Sequence, residues 1–527
     1  MTGNTGMRPD ELRVGTAKEP TGRRRVAIVI VLTVLVCLPV LGLAQYIAHV
    51  RYDETDQWLF ACYGRQITQG RVLYEQLWDN KPPGIFWTNA VGLWLAGGSP
   101  LGPIALCAAA SVGACAAVFA TARRLYGWSA AGVITVLASV YLFGAYYHVG
   151  CNRPITYCVL AELAAFLLYC RSFESAGRSG RNLLLAGSCA GVSFCFLQTG
   201  MAVALGIGLH ILFLVVTGRL SGSRAGRRLA TFVGGWALTV GAAVGLLALT
   251  SDLGWAWDAV FGFNLAHKAP GGGGPAWFGQ REHEAALALP VILAAATLAH
   301  PIVRWLSGFR AATVALFGRQ PPGLLFVLWA WMVVAIALAL AGPDRRLHYW
   351  GIALPPLIML AGHGVHLLFQ SGRGTERPVF HVVVAVVWMA YMLIAPLRLQ
   401  VQAALTYRWH AADEMRQRRI ADPVSTIRRC SMPGETLFVW GYDPRLYWLA
   451  DRPSAIRYIG TEKTSDNPAG QRLLGDICGM VKDARPRIVV ADPAAISSSA
   501  DDFAEWLRGH YTRPDPDRAA HVWVRND

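Results

Sequence analysis

Leu101-Gly102-Pro103-Ile104-Ala105-Leu106-Cys107-Ala108-Ala109-Ala110-Ser111-Val112-Gly113-Ala114-Cys115-Ala116-Ala117-Val118-Phe119-Ala120-Thr121-Ala122 carries no charge and is followed at once by Arg123 and Arg124. As a helix rising about 1.5 Å per residue, such a run spans the roughly 30 Å hydrocarbon core of a bilayer. Val26–Ala48 and Leu229–Thr250 are of the same kind. The composition agrees. Of 527 residues, 54% are hydrophobic and only 15% charged, against about 25% charged in a soluble domain, and mean hydropathy is +0.36. A soluble globular protein, a disordered chain, a fibrous repeat and a small disulfide scaffold are all excluded. The 11 cysteines sit mostly in the apolar runs, where they act as small buried side chains, and no pair has zinc-type spacing.

The sequence therefore reads as a mainly α, polytopic membrane bundle. Candidate spans are 26–48, 101–122, 129–149, 154–170, 182–198, 200–217, 229–250, 285–303, 323–341, 348–369 and 379–397. Arg23, Arg24 and Arg25 precede the first, which reads as a signal anchor behind a disordered cytoplasmic tail, 1–25. The run Gly84–Gly97 is short for a crossing. Loop charge decides its place. If it does not cross, the cytoplasmic flanks hold 20 Lys+Arg and the opposite loops 9; if it crosses, the balance becomes 11 against 18. The positive-inside rule favours 11 spans, with 84–97 at the outer interface. The net charge of +15 then belongs to these basic flanks at an anionic membrane surface and not to nucleic-acid binding. The implied organisation is a transmembrane domain, 26–398, with outer loops 49–100 and 251–284, and an extracytoplasmic domain, 399–527. In the last, short apolar strands (Thr436–Trp440, Arg487–Ala491, His521–Val524) alternate with helical patterns (Arg445–Ala450, Gln471–Val481, Asp501–Gly509), which predicts a small α/β domain.

The first outer loop opens Arg51-Tyr52-Asp53-Glu54-Thr55-Asp56. Three carboxylates at the membrane surface are either a solvated helix start or a used site. Gln57–Gly70 follows with helical spacing and apolar Trp58, Leu59, Ala61, Cys62 and Ile67, a pattern suited to lying on the outer leaflet. The loop continues Trp78-Asp79-Asn80-Lys81-Pro82-Pro83-Gly84. The two prolines stop helix extension from upstream, and Lys81 stands as a lone cation at headgroup level.

Asp-Glu just after the first span, followed by Trp-Asp-Asn-Lys-Pro-Pro-Gly, resembles the membrane glycosyltransferases of the GT-C fold, closest to the protein O-mannosyltransferase and aminoarabinose-transferase superfamily. Asp344-Arg345-Arg346-Leu347-His348-Tyr349 before Leu354-Pro355-Pro356 is similar to the entry into a late span of that family, and Phe438–Tyr447 to the opening of its bacterial outer domain. The resemblance implies an inverting transfer of a sugar from a polyprenyl-phosphate-linked donor to an acceptor glycan, lipid or protein outside the cytoplasm of a multi-pass cell-membrane enzyme. It assigns Asp53, with Glu54, as the base toward the acceptor hydroxyl. A lipid phosphate leaves as an anion and needs cations, not an acid. Lys81 is the family's candidate; Arg345, Arg346, His348 and Tyr349 join it by position.

There is one departure. Many relatives carry a further acid before the fourth span, where this chain reads Gly150-Cys151-Asn152-Arg153-Pro154. Glu162, deeper in that span, is expected either to face the cavity or to pair with a neighbour, and Asp56 is a second substitute. A divalent metal is compatible with the sequence but not required by it, and no cofactor is implied. Asp79, Asn152, Lys268 and Arg281 are accessory candidates. The four glycines Gly271–Gly274 suit either a lid hinge or an ordinary flexible loop. The runner-up function is a transporter or flippase of lipid-linked saccharides. It would require inverted repeats or broken helices with mid-membrane polar groups, and the distinctive residues gather instead at the outer face.

Overall fold

The computed structural model describes residues 23–50, 55–143, 152–174, 176–266, 291, 294, 323–341, 347–371, 414–461, 468–492, 496, 500–517, 519 and 521–526. The chain forms two compact units. The first contains 1–46, 107–243 and 273–403; the second contains 47–106, 244–272 and 404–527.

The first unit is helical. Its elements are α1 (Arg23–Val50), α4 (Leu101–Tyr126), α5 (Trp128–Phe143), α6 (Pro154–Arg171), α7 (Ser179–Phe196), α8 (Ala202–Val216), α9 (Gly222–Thr250), α12 (Leu324–Ala341) and α13 (Leu354–Ser371), the ends of α1, α4 and α9 running into the second unit. Each coincides with an apolar run predicted above. Five helices are long and apolar enough to cross a membrane among the described residues. The runs 285–303 and 379–397 lie outside those residues, apart from Val291 and Ala294, as does the tail 1–22.

Lipid tails are as apolar as leucine, so hydrophobicity cannot bring such helices together; close packing must. Gly187 and Gly191 on α7 meet Phe232, Trp236 and Thr239 of α9, and Gly235 of α9 meets Leu184 of α7. A Cβ at Gly187 would overlap the Phe232 carbonyl, and one at Gly235 the Leu184 carbonyl. Aromatic hydroxyls seal other contacts. Tyr126 donates to the Met359 carbonyl at 3.1 Å, and the Tyr169 hydroxyl lies 2.7 Å from His210 Nδ1.

The second unit holds α2 (Thr55–Thr68), α3 (Gly84–Leu95), α10 (Leu253–Trp257) and α11 (Phe263–Ala266). It also holds α14 (Glu414–Cys430), α15 (Arg445–Ala450), α16 (Pro468–Ala484) and α17 (Asp501–His510), with strands β1 (Leu437–Val439), β2 (Ile488–Val490), β3 (Tyr511–Thr512) and β4 (Val522–Arg525). The sheet order is β1-β2-β4-β3. β1 and β2 are parallel with Phe438 opposite Val489; β4 is antiparallel to both β2 and β3. The strands and helices predicted for this segment are present; the edge strand β3, two residues long, was not foreseen.

One expectation needs correction. The helix predicted over 57–70 exists as α2, but it does not lay a free apolar face on the leaflet. Leu59, Phe60, Ala61, Cys62 and Tyr63 are buried, because α3 covers one side and α15 another. Gly64 permits the α2–α3 approach, since a Cβ there would stand 2.8 Å from Asn89. The neighbouring α3 fits the interfacial reading better: Val91, Trp94 and Leu95 point outward from it, Trp94 at 74% exposure.

The α7–α9 contact predicts position-specific intolerance. Gly235→Leu should destabilise the protein by about 1–3 kcal/mol or more through overpacking, while Gly234→Leu, which meets open space, should be tolerated. Thermal unfolding in detergent compares the two; equal midpoints would remove Gly235 from the packing account.

Candidate active site

Asp56, Asp79 and Lys81 gather in the second unit, around the segment that follows α2. That helix ends at Thr68, and Gly70 two positions on has a φ of +89°, which suits glycine. The chain then folds back. Tyr74 N–H donates to the Leu77 carbonyl at 2.7 Å, and the Tyr74 hydroxyl donates to the Lys81 carbonyl at 2.8 Å. Tyr74 is fully buried, so its hydroxyl needs such a partner.

Three parts of the sequence then fix Trp78–Lys81. From α2, the Tyr63 hydroxyl donates to the Trp78 carbonyl at 2.5 Å. From the C-terminal part, the Arg457 carbonyl accepts from Trp78 N–H at 2.8 Å, and Tyr458 packs on the Trp78 ring with centroids 5.1 Å apart. From α11, Phe263 meets Trp78 edge-on at 4.9 Å. Asn264 on the same turn exchanges amide hydrogen bonds of 2.9 Å with the Asn80 side chain and carbonyl.

Lys81 is not the lone cation the sequence suggested. Its Nζ lies 3.6 Å from Asp79 Oδ1 and 5.3 Å from the Phe60 ring centre. Asp79, 2% exposed, also accepts the Lys81 backbone N–H at 3.0 Å. A carboxylate so enclosed needs compensation, and the adjacent ammonium and N–H supply it. Burial first, and then the Asp79 carboxylate, push the Tyr63 hydroxyl well above its ordinary range, so it stays a donor.

Asp56 sits in the first turn of α2, where a carboxylate is favoured by the helix dipole. Its Oδ1 accepts from the Tyr442 hydroxyl at 2.7 Å. Tyr442, in turn, lines a small cleft of about 30 Å³ together with Tyr63, Trp78, Asp79, Tyr458 and Gly460. One opening thus touches both the partner of Asp56 and the partner of Lys81. The far end of α2 is locked as well. Arg65 lies flat on Trp448, 3.3 Å from the ring centre, and pairs with Asp451 at 3.0 Å. Burial pushes the Cys62 thiol up to about 12, so it stays protonated and donates to the Pro444 carbonyl at 3.2 Å.

Other expectations fare differently. Asp53, Glu54, Lys268, Arg281, Arg345 and Arg346 lie outside the described residues, as does the glycine run 271–274. His348 and Tyr349 fall in the 3₁₀ turn Leu347–Ala353 of the first unit, and Asn152 is buried there as acceptor for the Tyr157 hydroxyl at 3.1 Å. Glu162 is 0% exposed on α6, where its carboxylate meets the Trp331 indole. Among the described residues no group of three or more His, Cys, Asp or Glu is arranged to hold a metal. Sequence reasoning missed Tyr458, Asn264 and the Arg457 carbonyl. They lie some 180 or more positions from the segment they hold, and no local spacing signals them.

Residues 80–249 match the family described as dolichyl-phosphate-mannose-protein mannosyltransferase. No curated protein matches by sequence. The crystal structure of ArnT from Cupriavidus metallidurans bound to undecaprenyl phosphate superposes with a TM-score of 0.59 at 13% identity, covering 94% of this chain and 97% of that one. The apo form of the same protein gives 0.57 at 15% identity with the same coverage. With that agreement over nearly the whole of both chains, the protein has the GT-C fold of the ArnT structures, and the match to the mannosyltransferase family begins inside its Trp78–Gly84 segment.

Proposed function

We propose that this protein is an inverting glycosyltransferase that moves a sugar from a polyprenyl-phosphate donor to an acceptor hydroxyl at the extracytoplasmic face. The observation that carries the reading is the cleft shared by Asp79 and Tyr442, which connects the cation of the Trp-Asp-Asn-Lys-Pro-Pro-Gly segment with the acidic start of α2. The undecaprenyl phosphate held by the structurally similar ArnT supports the donor class.

In this reading an acceptor hydroxyl loses its proton to a carboxylate as its oxygen bonds to the anomeric carbon. The bond from that carbon to the phosphate oxygen breaks, with inversion, and polyprenyl phosphate departs as an anion. Asp53, two residues before α2, is the proposed base, with Glu54 beside it. The Tyr442–Asp56 hydrogen bond fixes the start of α2, which both acids precede in sequence. Lys81 is the proposed phosphate partner. Its ammonium has three donors, so it can keep Asp79 compensated and offer a charge-assisted hydrogen bond to the donor phosphate. Arg345, Arg346, His348 and Tyr349 complete the proposed phosphate-binding set. Asp79, Asn152, Lys268 and Arg281 are accessory, and a divalent metal is neither required nor excluded.

Asp53→Asn keeps the side chain's shape and removes its basicity. Transfer by the purified variant should fall about 10²–10⁴-fold with an unchanged unfolding temperature; near-normal turnover removes Asp53 from the role. Lys81→Ala should weaken polyprenyl-phosphate binding roughly ten- to hundredfold, the value of one hydrogen bond to a charged group. Lys81→Arg should restore only part of it, because a guanidinium is planar and larger. Titration of polyprenyl phosphate in neutral detergent reads the difference, and equal affinities for wild type and Lys81→Ala would shift the role to Arg345 and Arg346.

A further inference from the structure

A second charged cavity lies in the first unit, at the ends of its helices. Arg124 near the C-terminus of α4, Arg171 at the end of α6, Glu174 just after it, Arg178 in the following turn, and Arg181 and Asn182 in the first turns of α7 surround a space of about 300 Å³. Four guanidinium groups face one carboxylate, a formal excess of three positive charges. Glu174 Oε1 is already committed to Arg124 Nε at 3.2 Å.

The positive-inside rule accounts for the sign of these residues. It does not account for their convergence. Arginines scattered along loops would each be hydrated separately, whereas cations gathered around one cavity repel one another. Such an arrangement is relieved by an anion. Guanidinium forks and the Asn182 amide offer the donor pattern that matches phosphate oxygens, and the cavity volume falls at the lower end of the roughly 300–1,000 Å³ usual for small-molecule sites.

The surroundings favour a membrane-borne phosphate. Leu184 and Leu185 lie three and four positions beyond Arg181, on the same face of α7, and are 39% and 42% exposed. A phosphate among the arginines would thus sit at the top of an apolar strip along which acyl chains can lie. Basic pockets between transmembrane helices are suited to anionic headgroups for this reason. We infer that this arginine cleft binds the phosphate of an anionic phospholipid, on the side that loop charge marks as cytoplasmic and separate from the proposed transfer site.

The test uses the full chain in neutral detergent, with phosphatidylglycerol, phosphatidylcholine or inorganic phosphate added, and reads the unfolding temperature against concentration. Wild type should be stabilised saturably by phosphatidylglycerol and not by phosphatidylcholine. Arg178→Gln/Arg181→Gln alters two exposed side chains and should raise the half-saturating concentration at least about tenfold, from the loss of charge-assisted hydrogen bonds. Arg224→Gln/Arg227→Gln, equally exposed on α9 and outside the cleft, should leave it unchanged. Glu174→Gln removes the competing carboxylate and should lower it, a change no folding defect imitates. Stabilisation by inorganic phosphate alone to the same extent would support the phosphate site and make its ligand soluble. Equal response to both lipids, or identical curves for the two arginine pairs, would overturn the inference.

Discussion

The hydrogen bond from Trp78 N–H to the Arg457 carbonyl, 2.8 Å long, joins two parts of the chain separated by nearly 380 residues. Much else depends on it. Trp78 carries Asp79, Asn80 and Lys81 directly behind it, and its ring is held by Tyr458 and Phe263. The residues after 404 therefore do more than cap a membrane protein. They form one compact unit with the loop 47–106 and the segment 244–272, and the lining of the candidate cleft comes from both ends of the sequence. Loss of that bond would leave a buried donor and acceptor unpaired, at about 1–3 kcal/mol, and would free the segment that positions the Asp79–Lys81 pair.

The bilayer explains why polar chemistry is concentrated in that unit. In hydrocarbon every backbone group must be satisfied within its own helix, and charged side chains are costly. The helices of the first unit accordingly invest in close packing, with Gly187, Gly191 and Gly235 at one crossing, and place their arginines at their ends. Glu162 is the exception, buried on α6 against the Trp331 indole.

The legibility of the molecule in its sequence follows the range of the interactions. Apolar runs such as Leu101–Ala122 report their own helices, because the signal is local and strong. The alternation after residue 430 likewise announces β1, β2 and β4. The pairing order β1-β2-β4-β3 was not legible, since it depends on contacts between distant segments. For the same reason α2 misled. Its sequence is amphipathic, and nothing within it shows that α3 and α15 cover the apolar face that would otherwise meet lipid. Lys81 looks solitary in the sequence although Asp79 is only two positions away: proximity in sequence does not establish that two side chains turn toward each other, and here a fold-back fixed by Tyr74 makes them do so.

The central claim is that this fold cleaves a lipid-linked sugar and does not merely carry it. Proteoliposomes of the purified protein, given radiolabelled polyprenyl-phosphate mannose or arabinose together with an envelope extract as acceptor, measure this directly. The account predicts protein-dependent formation of free polyprenyl phosphate, with label appearing in the acceptor fraction. Passage of the intact labelled lipid across the bilayer, with no polyprenyl phosphate formed, would contradict it and identify a transporter.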